Sequence, residues 1–416
     1  MIAFVWSALK IIFLLGFLIL IHESGHFFVA KLCKVKVHEF AIGFGPVIWN
    51  KQTKETKYAL RLVPLGGFVS MEGEERRSDN EGSFSKASIP KRIAIVAAGA
   101  CVNIVFGLLV YFILMSCSGV YVSNEVNNVM DGYVAEEINL QNGDKLIEIN
   151  NKKINSKNDI SKILDKSNGE EINIKIKRGE EILEYNIKPT EVKNKYTGIY
   201  LDEKAKIITV EKDSAAYEQG IKANDILLKI NDIPVEEDAS KALEVIKEQG
   251  EGTLYFTIQR GEQELKIELV PKDVSAYYLG IEFKKADDNF INRLIFGEMK
   301  TKEFAFSIVD NIKMLFSGGV SVDQMMGPVG ISEVVAKTNG LYEFIYLLAL
   351  VSLSLGVTNL LPIPALDGGK ILILIIEAIR RKPLKEKTEI NIQLIGFSIL
   401  IALSLYVTYN DILRIF

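Results

Sequence analysis

The sequence predicts a multi-pass α-helical membrane protein that carries a duplicated, β-rich soluble insert. Three observations lead there. Apolar residues gather in four stretches, 1 to 30, 93 to 118, 343 to 363 and 390 to 409. The intervening residues 120 to 290 are rich in Lys, Glu, Asp and Asn. Inside that polar stretch, two blocks of sequence repeat each other. The net charge of -4 over 416 residues offers no basic face for nucleic acid, so that class of partner is set aside.

The first span is placed at residues 1–32. It lacks the basic start and small-residue cleavage site of a signal peptide, so it is read as retained. The second, residues 93–118, is a run of about 26 residues whose one strongly polar member is Asn103, and about 20 suffice to cross a hydrocarbon core. The third and fourth are placed at 343–370 and 390–410. Lys and Arg crowd residues 33–92, between spans one and two, and Arg380 to Lys387, between spans three and four. The positive-inside rule puts both loops in the cytoplasm and the insert outside. None of the three cysteines lies in the insert, so no disulfide framework is indicated.

In the insert, "LQNGDKLIEINNKKI" from Leu140 matches "IKANDILLKINDIPV" from Ile221, pairing Asp144 with Asp225 and Asn150 with Asn231. Further on, Arg178-Gly179 matches Arg260-Gly261. Short alternating runs between Gly, Asn and Asp turns predict strands, and Asp238 to Gln249 predicts a helix. The pattern resembles bacterial PDZ domains, two in tandem at 120–192 and 196–273. Such domains take up an extended peptide as an added strand, which makes peptide or protein tails candidate partners. A spacer or folding support is the alternative.

Residues 290–318 place apolar side chains at helical spacing with charges between them. This predicts an amphipathic helix on the outer membrane surface. Packing beneath the soluble modules is an equal alternative.

The chemistry sits in "HESGH", an H-E-x-x-H motif at the end of the first apolar run. His22 and His26 share a helix face at i and i+4, so both imidazoles can reach one Zn²⁺ while Glu23 stands beside a water it activates. A third protein ligand is needed. His38, the remaining histidine, has no partner motif and is read as a surface residue. Asp367, in "NLLPIPALDGGK", is the stronger candidate. Pro and Gly there break the third span, and irregular backbone at membrane depth is tolerated only where it is buried in protein or lines a cavity. Ionisable groups at that depth mark functional sites.

Taken together, "HESGH", "RLVPLGGFVSMEGE", the paired PDZ-like modules, "GPVGIS" and "NLLPIPALDGG" resemble the site-2 protease family of intramembrane zinc metalloproteases, of the bacterial regulator-of-sigma-E-protease type. The resemblance runs over nearly the whole chain. It implies Zn²⁺ held by His22, His26 and Asp367, Glu23 as general base, and Asn359 helping to hold the substrate. Asn103, Gly66 and Gly67 are placed with Asn359 on the substrate side. It also implies a membrane re-entrant β-hairpin at about 54–72, with Gly66-Gly67 as its turn and an open edge for an unwound substrate. A hairpin that merely covers the site is the alternative.

The fold class is therefore about four transmembrane helices with a re-entrant hairpin and two PDZ-like domains. The implied activity is cleavage of single-span membrane proteins, anti-sigma factors or remnant signal peptides, in the plasma or inner membrane with the active site toward the cytoplasm. Two departures from the family stand out: Lys370 follows "LDGG" where His or Arg is expected, and "AAGACVNI" lacks a proline. The rival reading is a non-catalytic membrane scaffold built on the PDZ pair. A metal transporter would need more polar groups in the spans than are present.

Overall fold

In a computed structural model of the chain, residues 2–415 are described apart from 75, 155–156, 203, 237, 250, 262 and 317–325. The last two residues of the expected amphipathic helix, 317 and 318, lie outside the described residues. The chain divides into two units, Met1–Val120 with Asp288–Phe416, and Tyr121–Asp287.

The first unit opens with helix α1 (Ile2–Leu32), followed by strands β1 (Val37–Gln52) and β2 (Lys57–Met71) and then helix α2 (Ile89–Ser118). Pro90 begins α2, where a missing N–H costs nothing. Four helices among the described residues are long and apolar enough to cross a membrane: Val5–Leu32, Ile89–Ser118, Leu341–Asn359 and Glu386–Leu413.

The hairpin differs from expectation. Its turn is at Thr53 to Thr56, where the Thr53 N–H donates to Thr56 O at 3.0 Å, and Gly66-Gly67 lie inside β2. The alternation in Lys57–Met71 predicts two strands, whereas it belongs to one, β2, whose partner is β1. Both strands bend midway, where Pro46 and Pro64 can offer no N–H to the ladder. Phe40 therefore pairs with both Val69 and Tyr58, and Ile42 with both Gly67 and Leu60. The first leg of β1 thus lies between two legs of β2, and Gly67–Met71 forms an edge. Phe44, Ile48, Trp49 and Leu62 expose an apolar surface on this sheet.

In the second unit the two β-rich modules are nested. The first contains β3 (Val122–Val129), α3 (Val134–Glu137), β4 (Lys145–Ile149), β5 (Lys152–Lys153), α4 (Lys157–Ser167), β6 (Ile172–Arg178) and β7 (Glu181–Ile187). After β8 (Thr190–Tyr196) the chain builds the second from β9 (Ile199–Leu201), β10 (Ile207–Val210), α5 (Ala215–Glu218), β11 (Ile226–Ile230), β12 (Ile233–Pro234), α6 (Ala239–Gln249), β13 (Leu254–Arg260) and β14 (Gln263–Leu269). It then returns along β8 as β15 (Lys272–Tyr278), and β16 (Ile281–Lys285) pairs with β3.

The first module is thereby completed from beyond the second, and Leu279, at 4% exposure, belongs to its core. The first span of residues expected for it, 120–192, therefore lacks its last strand. The reason is pairing: β10 finds β9 next to it in sequence, whereas β3 waits for β16. The repeat is complete down to its ion pairs. Arg178 grips Asp144 at 2.8 and 2.7 Å, and Arg260 grips Asp225 at the same two distances.

Back in the first unit, α7 (Phe290–Phe316) packs along the far end of α2. Tyr111 stacks on Phe304 at 4.4 Å, and Arg293 donates to Cys117 O at 3.2 Å. The stacked rings hold α7 against α2, as does the close approach at Gly297, where a Cβ would lie 2.0 Å from Ser116 Oγ. Then come α8 (Pro328–Lys337), α9 (Leu341–Asn359), α10 (Asp367–Arg380) and α11 (Glu386–Ile415).

The short helix α8 is held at both ends by the charges of apolar helices. Asp411 of α11 accepts the N–H groups of Gly327 and Gly330 at 3.2 and 2.8 Å. Lys10 of α1 donates to Thr338 O at 2.8 Å, just past the other end. Both signs match the helix dipole.

Candidate active site

On α1, His22 and His26 bring their Nε2 atoms to 3.2 Å from each other. Asp367 joins them from the start of α10, with Oδ2 at 3.3 Å from His22 Nε2 and 3.5 Å from His26 Nε2. The break after α9 makes this meeting possible. Pro362 and Pro364 end regular structure, and the chain folds back so tightly that a Cβ on Gly368 would lie 2.2 Å from Leu361 O and one on Gly369 2.3 Å from Ile363 O. Only glycine fits at either place. Asp367 then sits in the first turn of α10, where the helix dipole favours a carboxylate.

Helix α2 forms the third wall. A Cβ on Gly99 would fall 2.4 Å from His26 Nε2. The His26 Nδ1–H donates to Ile95 O at 2.9 Å, which leaves the Nε2 lone pair free to ligate. Glu377, 3% exposed, receives Arg77 at 3.2 Å and Arg92 at 3.1 Å and so ties α10 to the foot of α2.

The donor set fits a metal. The three ligand atoms lie within 4.8 Å of one another, and Asp367 Oδ2 is buried without a hydrogen-bond partner. Donors placed about 2.0–2.1 Å from a tetrahedral zinc stand roughly 3.3–3.4 Å apart, close to the spacings observed. Histidine and carboxylate oxygen are zinc's ordinary ligands.

Glu23 lines a cavity of about 650 Å³ together with the three donors, Lys370, Glu74 and the edge residues Phe68 to Met71. Lys370 pairs with Glu74 at 3.0 Å. Gly67 abuts this acid, a Cβ there lying 3.2 Å from Glu23 Cγ. Gly66 packs instead against the Phe44 ring.

Two further residues expected on the substrate side are not found at the cavity. Asn359 ends α9 outside its lining, and Asn103 is fully buried. His38 is outside the cluster, paired with Glu72 at 2.7 Å. Hydrogen bonds from Ser78, His38 and Asn80 hold the Glu72 carboxyl down at about 2. Sequence reading missed Gly99, Lys10 and Asp411. The last two carried a signal, since a lone charge in an apolar helix demands a partner.

Two histidines flanking a glutamate, with a remote carboxylate closing on the same point among apolar helices, define the class as a metallohydrolase centre. The chain belongs to peptidase family M50, whose profile matches residues 10–403. It is 32% identical over 396 residues to a protein of Clostridium perfringens named as a zinc metalloprotease, covering 95% of each chain. It is 27% identical to the regulator of sigma-E protease RseP of Escherichia coli, covering 100% of each. Among solved structures, the HtrA3 PDZ domain bound to a phage-derived ligand aligns with 21% of this chain and 94% of its own at 20% identity, with a TM-score of 0.19.

Proposed function

We propose that this peptidase is an intramembrane zinc metalloendopeptidase that cleaves the transmembrane segments of single-span membrane proteins, of the anti-sigma-factor or remnant-signal-peptide kind. The observation that carries this reading is the convergence of His22, His26 and Asp367 beside Glu23, in a cavity walled by a strand edge. His22, His26 and Asp367 hold the zinc. When bound, zinc supplies a Lewis acid that polarises the scissile carbonyl and acidifies water.

Glu23 accepts the proton of the attacking water and delivers it to the departing amine. A peptide bond within a helix is shielded by its own hydrogen bonds, so the substrate must first be unwound. The edge at Gly67–Met71 receives the unwound segment as an added strand next to Glu23. The positive charge of the two loops orients this centre toward the cytoplasmic side of the plasma or inner membrane. The two modules, read as PDZ domains, then face outside and filter substrates by size.

The test is cleavage of a short transmembrane reporter by purified protein, wild type beside Glu23→Gln, with bound zinc measured in both. Zinc in both and cleavage by the wild type alone is the expected result. Protein that holds no zinc and leaves several reporters intact after zinc is restored would overturn the reading.

A further inference from the structure

Asn103 is the one strongly polar side chain in the apolar run 93–118 of α2 and is 0% exposed. An amide buried in an apolar helix costs free energy unless its hydrogen bonds are made. Its backbone oxygen accepts the Ser352 hydroxyl at 2.9 Å, but its side-chain Oδ1 is buried without a partner. Its Nδ2 stands 3.4 Å from His22 Nδ1. It therefore faces the back of a zinc-binding imidazole, away from the cavity.

A ligating imidazole is neutral and carries its proton on the nitrogen that does not bind the metal. His22 turns Nε2 to the donor cluster, so its Nδ1 becomes an N–H that requires an acceptor. An amide NH2 set against that N–H places donor on donor. Turning the Asn103 amide over about Cβ–Cγ exchanges Nδ2 for Oδ1 at the same place and supplies the acceptor.

We infer that Asn103 is a positioning residue, whose Oδ1 accepts the Nδ1–H of His22 and fixes that ring's tautomer and direction for zinc. It does for His22 what Ile95 O does for His26, so α2 supplies both acceptors, one from a side chain and one from the backbone. The assignment replaces the expected contact with substrate and rests on the zinc reading above.

Zinc affinity of the purified full-length protein, measured by chelator competition, tests it in wild type, Asn103→Leu and Asn103→Asp. Removing the acceptor should weaken zinc binding by about 10–100-fold, and the aspartate should bring affinity back to near the wild-type value. Wild-type affinity in a folded Asn103→Leu protein would overturn the inference while leaving the zinc site standing. A wild type that binds no zinc would refute the zinc reading itself, and this inference with it.

Should Asn103→Leu fail to fold, the wild type and Asn103→Asp decide. The chain has three histidines, so ¹⁵N-histidine labelling yields three resolvable rings. In the zinc-loaded wild type His22 should be protonated at Nδ1. The stronger acceptor should shift that proton downfield while the His26 signal holds still. An unmoved His22 signal would refute the inference.

Discussion

Gly99 and His26 meet where α2 crosses α1, so closely that a methyl group on Gly99 would stand 2.4 Å from the ring nitrogen that faces Asp367. The same methyl would lie 2.9 Å from His22 Cε1. Neither imidazole can retreat without breaking the donor cluster. Gly99→Ala should therefore lower zinc affinity by on the order of 10–100-fold while costing only about 1–3 kcal/mol of stability. Metal content and thermal unfolding of the same preparation check this. Full zinc occupancy in the variant would show that the helices can part without loss.

The two charges that clamp α8 should matter to stability and little to zinc. Asp411→Ala leaves the Gly327 and Gly330 N–H groups without their acceptor, which should cost about 1–2 kcal/mol. Lys10→Met should cost less, since one carbonyl loses one donor. Unfolding in detergent is the measurement, with zinc content as the control. A loss of zinc in either variant would tie α8 to the metal site.

Asp144 gives a pH dependence. Burial would raise its carboxyl, but the hydrogen bonds and charge of Arg178 outweigh burial and hold it below the ordinary carboxylate range. A depressed folded value means stability that is complete above the unfolded value, about 3.9, and lost as pH falls through the folded one. Arg178→Met strands a buried carboxylate and should cost about 3–5 kcal/mol at neutral pH. Acidification toward pH 5 should then restore part of the loss. Pulse proteolysis of the intact chain across pH reads this, and a variant that weakens in parallel with the wild type would contradict it.

The size filter predicts a gain of function. Replacing the whole unit Tyr121–Asp287 by a short linker should let the enzyme cut substrates that have not been trimmed outside. The whole unit is the right segment to remove, because cutting at 272 leaves β15 and β16 without partners. Unchanged preference for trimmed reporters would end the filter idea.

Much of this architecture is legible in the sequence because single residues carry it. The four apolar runs need no tertiary context, and His22, Glu23 and His26 lie within one helical turn or so. Asp367 was reachable because a carboxylate at a broken apolar span coincides with an H-E-x-x-H motif that needs a third ligand. What stayed hidden depends on contacts between distant segments. Gly66-Gly67 resembles a turn locally, and only the pairing of Ile42 with Gly67 reveals a continuous strand. Asn103 looks the same in sequence whether it faces a cavity or a histidine. The close approach at Gly99 belongs to the helix crossing and leaves no pattern along the chain.

The return of β16 to β3 has a consequence for how the protein is made. Synthesis runs from the N-terminus at about 5–20 residues per second, and domains ordinarily fold in that order. Here the ribosome must add more than 80 residues after β7 before it releases the strand that closes the first module, by which time every strand of the second has emerged. The later module can finish first, and the earlier one stays open behind it, its β3 edge exposed to any extended segment nearby. A chain truncated anywhere within the second module would keep that edge permanently unpaired, a ready substrate for quality-control proteolysis.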